Sequence, residues 1–327
     1  MSMVIQESIA EQPRIGVFDT AICTDNLGDC IIMDAVWDVL HEIFGSSVLT
    51  DRIATHQFMS RSAYRLLPGM RIGIVGGTNI LKAHMFVRAN WKLRLHDALF
   101  LRNAVLLGVG WQQYQGRLDI FSRLLLSRAL SREFMHSVRD RYTLERLRGH
   151  VRNIEYTACP TLWSLTPARC NAIARTKAPE AIVSLTYYRP DPCDARLVRL
   201  LLQEYATVHF WCQMREDLEY LHSLGLGVDL PVIDDVDVYT HMLKTREVDV
   251  IGTRLHGGIR ALQCGRRALI LTVDNRAAEL GRDSGIPVVD RRDMGVIAGW
   301  IRGSGGVTVD LPWDAITAWK RQFSGLQ

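Results

Sequence analysis

The sequence lacks any apolar run long enough to cross a membrane. Its longest runs, such as residues 104–109 and 268–273, fall far short of the roughly 20 residues that a spanning helix requires. Residues 1–14 include Glu7 and Glu11, and they have neither the basic start nor the apolar stretch of a signal peptide. We therefore expect no membrane span and no export, which predicts a cytoplasmic protein.

Cysteine pairs at metal-binding spacing are also lacking. The seven cysteines include no C-x-x-C pair and lie at positions 23, 30, 159, 170, 193, 212 and 264. Such a pattern is typical of reduced thiols in a cytosol and offers no zinc site. Asp234, Asp235 and Asp237 suggest a cation site, but a polar turn before a helix over 238–244 explains them better. We predict no bound metal.

A strong excess of one charge is absent as well. The formal net charge is only +4, which is too small to indicate nucleic-acid binding. The charge is uneven, however, because residues 82–152 hold 14 Lys and Arg against 5 Asp and Glu. A basic face on this half attracts phosphates or an anionic membrane surface, and the alternative is arginines on solvated helix faces.

The stretch 119–135, which we predict as a helix, combines basic and apolar residues. They are Ile120, Leu124, Leu125 and Phe134 together with Arg123, Arg128 and Arg132. A basic amphipathic helix can lie on an anionic membrane, whereas such an apolar stripe more often faces a protein core. Both alternatives stay open.

Length and patterning predict two α/β domains. At 327 residues, two domains of about 150 residues each are the default. Apolar residues at 48% and charged residues at 23% exclude a disordered chain. We predict a first domain over 1–166, a connection over 167–179, a second domain over 180–310 and a C-terminal helix over 311–327 that packs back across the domains.

Apolar strands alternate with helical periodicity in both halves, and most strands end in glycine-bearing or polar loops. The first half has predicted strands at 14–19, 71–75 and 104–109 and predicted helices at 30–43, 86–101, 119–135 and 142–148. The second half has predicted strands at 181–185, 207–211, 248–251 and 268–273 and predicted helices at 195–205, 215–224, 258–264 and 276–283. This alternation is typical of parallel sheets covered on both faces.

In open parallel sheets ligands bind beyond the carboxyl ends of the strands. There the segment 251–258, Ile-Gly-Thr-Arg-Leu-His-Gly-Gly, joins a strand to a helix. It places Arg254, His256 and free helix N-terminal amides in one small volume, which is a competent anion site. The imidazole adds a group that exchanges protons near neutral pH. The structural alternative is a plain turn with a histidine whose hydrogen bonds are satisfied.

At this segment the chain resembles the polysaccharide pyruvyltransferase family, and the resemblance covers nearly the whole chain. Its landmarks are Asn26-Leu27-Gly28-Asp29, Gly76-Gly77-Thr78-Asn79, Leu107-Gly108-Val109-Gly110, Ser137-Val138-Arg139-Asp140, Thr253-Arg254-Leu255-His256, Asp274-Asn275-Arg276 and Ser284-Gly285-Ile286-Pro287. It implies two Rossmann-like domains that face each other across a cleft, similar to GT-B glycosyltransferases. The chain departs from many relatives at Cys159-Pro160-Thr161, where they carry Asp-Pro-Ala.

The resemblance implies transfer of a pyruvyl group from phosphoenolpyruvate to a hydroxyl pair of a surface polysaccharide or its lipid-linked precursor. Phosphate is released, and no cofactor is needed. The implied donor site is formed largely by Arg139, Arg254 and His256. Gly257, Gly258 and Arg276 are further candidates for donor binding, and for Arg276 the alternative is a residue that only lines the cleft. Guanidinium groups can hold the carboxylate and the phosphate of the donor, and His256 is the expected general acid. For Arg139 the alternative is an ion pair with Asp140 or a solvated surface charge.

The resemblance also aligns Asp29 with an acidic residue of the cleft, as a base or a hydrogen-bond acceptor for the sugar. The alternative for Asp29 is an acidic N-cap of the following helix. The other residues expected to line the cleft are Asn26, Gly76, Gly77, Thr78, Asn79 and Gln213. A tight turn explains the two glycines equally well, and Asn26 has the alternative of shaping its turn.

Two other functions stay open. A GT-B glycosyltransferase that uses a nucleotide sugar would share the fold and the anion site, and a silent glycan-binding protein could keep the fold alone. The joint presence of arginines and His256 argues against a silent protein, because a scaffold needs no proton donor. The expected partners are phosphoenolpyruvate and a saccharide or lipid-linked oligosaccharide, with no nucleic acid. Peripheral contact with the inner membrane surface is an open alternative.

Overall fold

The computed structural model describes residues 14–45 and 50–326, which form a mixed α/β structure with parallel sheets. The strands of these residues are β1 (Arg14–Asp19), β2 (Thr50–Ala54), β3 (Met70–Gly76), β4 (Asn79–Leu81), β5 (Ala104–Leu107), β6 (Gly110–Trp111), β7 (His136–Val138), β8 (Ile154–Tyr156), β9 (Glu180–Ser184), β10 (Thr207–Trp211), β11 (Val232–Ile233), β12 (Val248–Gly252), β13 (Ala268–Thr272) and β14 (Val288–Asp290). The α-helices of the same residues are α1 (Leu27–Phe44), α2 (Arg61–Leu66), α3 (Ile120–Ala129), α4 (Arg141–Leu147), α5 (Pro167–Asn171), α6 (Pro192–Glu204), α7 (Arg215–Ser223), α8 (Val236–Thr245), α9 (Leu255–Gln263), α10 (Asn275–Ser284), α11 (Met294–Arg302) and α12 (Trp313–Arg321).

The first sheet has four parallel strands in the order β2-β1-β3-β5. Val17 of β1 pairs with Arg52 of β2 on one side and with Ile74 of β3 on the other. Ile15, Val17 and Ile74 are fully buried, as expected for a parallel sheet with both faces covered. The strand order reverses between β1 and β3, so the loops that follow these two strands lie side by side at the carboxyl edge.

The second sheet has six parallel strands in the order β11-β10-β9-β12-β13-β14. Counted along the chain, this is the order 3-2-1-4-5-6 of a Rossmann sheet. The order reverses between β9 and β12, where Ile182 pairs with Val250. Two short parallel pairs, β4 with β6 and β7 with β8, complete the pairing of the described strands. The predicted α/β class with parallel sheets is confirmed, while the domain boundaries stay predictions.

The predicted C-terminal segment contains α12, which packs against the first half of the chain, while packing across both domains stays a prediction. Trp319 and Phe323 are fully buried. The ring of Trp319 lies 5.9 Å from that of Trp163, and the ring of Phe323 lies 5.5 Å from that of Phe44. Lys320 Nζ lies 2.6 Å from a carboxylate oxygen of Glu42 on α1.

Two predicted helices are wrong in extent or in kind. The segment 86–101 contains only a 3-10 helix at Leu95–Leu99, because partners elsewhere hold the chain before it out of a helix. The backbone N–H of Lys92 donates to the Thr55 carbonyl at 3.0 Å, and Arg88 has a φ of 49°. The helix predicted over 119–135 ends at Ala129, because the chain then bridges to the first strand residue of β5.

Asp234 and Asp235 precede α8 as predicted, but the helix begins at Val236, so Asp237 lies in its first turn. Asp235 is the N-cap of α8, and its side chain accepts hydrogen bonds from the backbone N–H groups of Asp237 and Val238 at 2.8 and 2.9 Å. Within the described residues no helix combines the length and the apolarity that a membrane span requires. The prediction on a signal segment concerns mainly residues 1–13, which lie outside the described ranges.

Candidate active site

The loop after β12 lies where the second sheet reverses its strand order. The backbone N–H of Thr253 donates to the Ser184 carbonyl at 2.9 Å, and its hydroxyl lies 2.8 Å from that of Thr186. These bonds fix the loop against the end of β9. Arg254 is the N-cap residue of α9, so His256 stands in the first helical turn.

Arg254 is a buried cation whose guanidinium is engaged by Asp217. Nε donates to one carboxylate oxygen at 2.9 Å, and Nη2 donates to the other. Nε also donates to the Leu185 carbonyl at 3.2 Å, and the guanidinium carbon lies 5.4 Å from the ring centroid of Tyr188. These contacts hold the loop after β9 to the loop after β12. A donor-binding role of Arg254 stays a prediction.

Gly257 and Gly258 are packed against the core of the second sheet. A Cβ added at Gly257 would lie 2.9 Å from Nε1 of Trp211, and one added at Gly258 would lie 2.5 Å from Cγ1 of Ile270. The Gly257 carbonyl also accepts a hydrogen bond of 2.9 Å from the Tyr239 hydroxyl. Packing therefore requires glycine at both positions, and donor contact by either stays a prediction.

His256 is buried beside two arginines. Within the described residues its Nε2 atom has no hydrogen-bond partner, so the alternative of a fully satisfied histidine does not hold. Burial lowers the pKa of His256 well below its usual value, and the charges of Arg139 and Arg276 lower it further. The imidazole of the free protein is therefore neutral at pH 7. A buried nitrogen without a protein partner is a candidate ligand contact.

Arg139 reaches the same place from the first half of the chain. Its side chain is fully buried, so the alternative of a solvated surface charge is wrong. Nε donates to Asp140 at 3.2 Å, as the ion-pair alternative predicts, and Nη2 donates to the Asn79 side-chain oxygen. Nη1 is buried and has no hydrogen-bond partner among residues 14–45 and 50–326. The ion pair thus leaves one donor nitrogen for a ligand.

Arg276 lines a cavity of about 470 Å³. Its Nε and Nη2 donate to Asp274 at 2.9 and 2.7 Å, and Nη2 also donates to the Tyr188 hydroxyl. Burial disfavours the charged guanidinium, but Asp274 outweighs it and raises the pKa of Arg276. A second cavity of about 340 Å³ shares Asp274 and Asn275 with the first. Arg276 is therefore a fixed positive charge beside a space that can hold a small metabolite.

Asp29 lies in the first turn of α1 and is surrounded by donors. Its Oδ2 accepts hydrogen bonds from the Thr24 hydroxyl at 3.0 Å and from Asn26 Nδ2 at 3.2 Å. Its Oδ1 accepts one from the Thr78 hydroxyl at 3.2 Å. The N-cap of α1 is Asn26, whose Oδ1 accepts from the Gly28 N–H at 3.1 Å, so the N-cap alternative for Asp29 is wrong.

His56 lies beside Asp29 and was not predicted. Its Nε2 is 3.6 Å from Asp29 Oδ2, and its Nδ1 is 3.1 Å from the Asn90 carbonyl. Burial alone would lower the pKa of His56, but Asp29 outweighs it and the pKa is raised. His56 follows β2, a strand that sequence patterning did not reveal, so no motif marked it. Asp217 and Tyr188 were missed for a similar reason, since neither belongs to a recognisable motif.

The turn between β3 and β4 links the residues around Asp29 to Arg139. Thr78 has a φ of 54°, a backbone conformation that a β-branched residue rarely adopts, and its hydroxyl donates to Asp29. The next residue, Asn79, accepts the hydrogen bond from Arg139 Nη2. Two adjacent residues of one turn therefore contact the carboxylate of Asp29 and the guanidinium of Arg139.

The remaining predicted residues support these loops. Gly76 ends β3 and Gly77 follows it, both close to side chains of α1, and Gly77 has a φ of 53°. Gln213 follows β10, and its Nε2 donates to the Asn26 side-chain oxygen at 2.7 Å. A Cβ added at Gly28 would lie 2.6 Å from that same nitrogen. Gln213 thus fastens a loop of the second sheet to the loop after β1.

The residues of the candidate site form two groups, which the β3–β4 turn links. The basic cluster consists of Arg139, His256 and Arg276, and the carboxylate cluster consists of Asp29, His56, Thr24, Asn26 and Thr78. Arg254, Gly257 and Gly258 lie on the same loop and helix as His256 but contact the core. Among the residues that the structure describes, no group of three or more His, Cys, Asp or Glu could hold a metal ion.

Comparison with known proteins agrees with this geometry. The model of the polysaccharide pyruvyl transferase family matches residues 26–275, which is well over half of the chain. No curated protein matches the sequence. The match begins at Asn26 of the carboxylate cluster and ends one residue before Arg276 of the basic cluster.

Proposed function

Because this chain belongs to the polysaccharide pyruvyl transferase family, we propose that it transfers a pyruvyl group from phosphoenolpyruvate to a pair of sugar hydroxyls and releases phosphate. The acceptor that we propose is a surface polysaccharide or its lipid-linked precursor. One observation carries the donor assignment. Arg139 Nη1 and His256 Nε2 are buried, come from different halves of the chain and have no hydrogen-bond partner within the described residues.

Phosphoenolpyruvate suits a basic cluster of this kind. It carries a carboxylate and a phosphate, and guanidinium groups bind both anions with paired hydrogen bonds. We assign Arg139 and Arg276 to these two anions. Asp274 keeps Arg276 charged and oriented, since it accepts from both Nε and Nη2. We assign Arg254 a positioning role, because its ion pair with Asp217 holds the loop after β12 in place.

The donor also changes the protonation of His256. In the free protein, burial and the two arginines keep the imidazole neutral. A bound carboxylate and phosphate offset those arginine charges, which raises the pKa of His256 and makes it an imidazolium. A positioned imidazolium is then a general acid for the methylene carbon of the donor.

The reaction balances with two hydroxyl groups and no further reactant. His256 delivers a proton to the methylene carbon, which becomes the methyl group. The first sugar oxygen bonds to the neighbouring carbon, the bond from that carbon to the phosphate oxygen breaks, and the second sugar oxygen bonds in its place. The hydroxyls lose two protons, of which one replaces the proton from His256 and the other leaves on phosphate.

We assign the carboxylate cluster to the acceptor. The turn that carries Thr78 and Asn79 links the carboxylate of Asp29 to Arg139 of the basic cluster. A carboxylate at this position can accept the proton of an attacking hydroxyl, and His56 at 3.6 Å can share it. The donor and the acceptor would therefore meet at the β3–β4 turn.

We further propose that the two sheets belong to two Rossmann-like domains that face each other across a cleft, as in GT-B enzymes. In support, both strand-order reversals carry residues of the site, as expected for ligands at topological switch points. Asn26 follows β1 in the first sheet, and Arg254 follows β12 in the second. We place the reaction in the cytoplasm.

A coupled assay tests the proposal. The protein is incubated with phosphoenolpyruvate and a panel of saccharides, phosphate release is measured, and products are examined by mass spectrometry. We expect a pyruvyl ketal with at least one saccharide and, for His256→Asn, about a 100-fold loss of turnover or more. Arg215→Ala is the matched control, since its side chain is 91% exposed. Binding of UDP or GDP sugars, but not of phosphoenolpyruvate, would instead support a glycosyltransferase.

A further inference from the structure

Exposed apolar side chains are concentrated on one part of the first half of the chain. More than half of the exposed large apolar or aromatic side chains of the described residues lie between positions 58 and 124. Apart from Tyr114, whose hydroxyl donates to Glu279 at 2.6 Å, they are Phe58, Phe86, Val87, Leu95, Leu99, Phe100, Ile120, Phe121 and Leu124. Their exposure runs from 43% for Leu124 to 75% for Ile120. Clusters of this size on a soluble domain mark interaction sites.

These nine residues, named here the apolar surface, come from segments that contact one another. The backbone N–H of Met85 donates to the Ser122 hydroxyl at 2.8 Å, which ties the loop with Phe86 to α3. The 3-10 helix Leu95–Leu99 packs against α3. Phe58, Phe86 and Leu95 line one cavity of about 420 Å³. The fold therefore presents the apolar surface as a single region.

Positive charge surrounds this region. Residues 82–128 contain eight basic residues, namely Lys82, Arg88, Lys92, Arg94, Arg102, Arg117, Arg123 and Arg128. Burial, together with the charges of Arg88 and Lys92, lowers the pKa of Lys82.

The two acidic residues of the segment offset only part of this positive charge. Asp97 is fully buried, where its Oδ2 accepts from the Arg94 N–H at 2.7 Å. Asp119 caps α3 and accepts from His84 at 2.7 Å. The face that remains is apolar in its centre and basic around it.

We propose that the apolar surface is a docking site for an anionic phospholipid bilayer. Exposed Phe, Leu and Ile side chains can enter the boundary between headgroups and acyl chains while arginines contact lipid phosphates. The structure favours this occupant over a second copy of the chain, because two such basic faces would repel each other. The inference goes beyond the proposed function, since bilayer binding requires no transfer reaction.

The surface adjoins the candidate active site through one loop. Residues 82–94 carry Phe86 and Val87 at the apolar surface, and Asn90 of the same loop donates to the Asn79 carbonyl at 2.9 Å. Asn79 and Asn90 both line the cavity beside Arg276. If the acceptor is linked to a lipid, a step that rests on the proposed function, docking would present its saccharide to the carboxylate cluster.

Vesicle co-sedimentation of the full chain tests the proposal. We expect binding to vesicles of phosphatidylglycerol and phosphatidylcholine and much weaker binding to phosphatidylcholine alone. Ile120→Ser/Phe121→Ser should reduce binding at least tenfold. The matched control is Val238→Ser/Val296→Ser, whose wild-type side chains are 57% and 51% exposed on the second half, and it should bind like the wild type.

A second pair of variants tests the charges. Arg88→Ala/Arg128→Ala should reduce binding at least about tenfold, since each basic residue near an anionic surface contributes about fivefold. Arg199→Ala/Arg215→Ala, which removes two exposed arginines elsewhere, should leave binding unchanged. Sedimentation velocity tests whether the free protein self-associates through the apolar surface. We expect the wild type and the Ile120→Ser/Phe121→Ser variant to show the same state of association.

Three outcomes would overturn the proposal. They are equal binding to neutral and anionic vesicles, equal loss of binding in the control variants, and self-association through the apolar surface. Circular dichroism of each variant verifies the fold. Because phosphoenolpyruvate affinity is measured separately, failure of vesicle binding would leave the proposed function standing, and failure of donor binding would leave the membrane proposal standing.

Discussion

Donor binding should be accompanied by proton uptake at His256, and the replacement His256→Asn should remove it. In the free protein, burial, Arg139 and Arg276 lower the pKa of His256 well below its usual value. Phosphoenolpyruvate brings a carboxylate and a phosphate to the same arginines, so the pKa of His256 must rise on binding. Asparagine keeps a polar side chain at the position but cannot titrate in this range.

The sign and the size of the effect follow from linkage. The complex holds more protons than the free protein between the two pKa values of His256, so donor affinity increases as the pH falls through that window. Uptake approaches one proton per donor there, and the apparent dissociation constant changes by up to about tenfold per pH unit. Above the pKa of the complex, both states are neutral at His256 and the effect disappears.

Isothermal titration in buffers of different ionisation enthalpy measures this proton number. At pH 7.5 the phosphate of the free donor is mostly ionised, because its second pKa is about 6. The difference between wild type and His256→Asn then isolates the histidine. Equal proton uptake by the two proteins, with donor binding retained, would refute the assignment of His256 as the group that protonates the donor.

Two further substitutions probe residues behind the site. Asp217→Ala leaves the Arg254 guanidinium buried without its carboxylate. We therefore expect the free energy of unfolding, measured by urea titration, to fall by about 3–5 kcal/mol. A loss below about 1 kcal/mol would contradict a buried ion pair. Gly110→Ala places a Cβ against the Arg139 guanidinium, so titration with phosphoenolpyruvate should show weaker binding. Gly116→Ala, with no atom within 4 Å of the added carbon, should bind as tightly as the wild type, and equal affinities of the two variants would speak against Arg139 as a donor ligand.

Hydrophobic patterning sufficed for the central strands. The stretches 14–19, 71–75, 207–211 and 268–273 are mostly buried parallel strands with largely apolar sequences, and the structure contains them with small shifts in their ends. Strands with polar or short sequences escaped detection. β2 has the sequence Thr-Asp-Arg-Ile-Ala, and it is a strand because β1 offers its free edge. Whether such a segment becomes an edge strand depends on tertiary pairing, which sequence periodicity does not reveal.

The residues of the candidate site that belong to sequence motifs could be predicted. Arg139, His256 and Arg276 were all identified, and the structure places them close enough for both arginines to lower the pKa of the histidine. Arg254 looked equivalent in sequence, yet its carboxylate partner Asp217 lies 37 positions away on α7. His56 could not be found because its position beside Asp29 depends on β2. Whether a residue lines the site or supports it therefore depends on side-chain partners that are distant in sequence.

The most direct test of the account is a crystal structure of the protein with phosphoenolpyruvate bound. The account predicts that oxygen atoms of the donor lie within hydrogen-bond distance of Arg139 Nη1 and Arg276, with the methylene carbon next to His256 Nε2. A donor bound elsewhere, with Arg139 Nη1 and His256 Nε2 making no contact to it, would contradict the central claim.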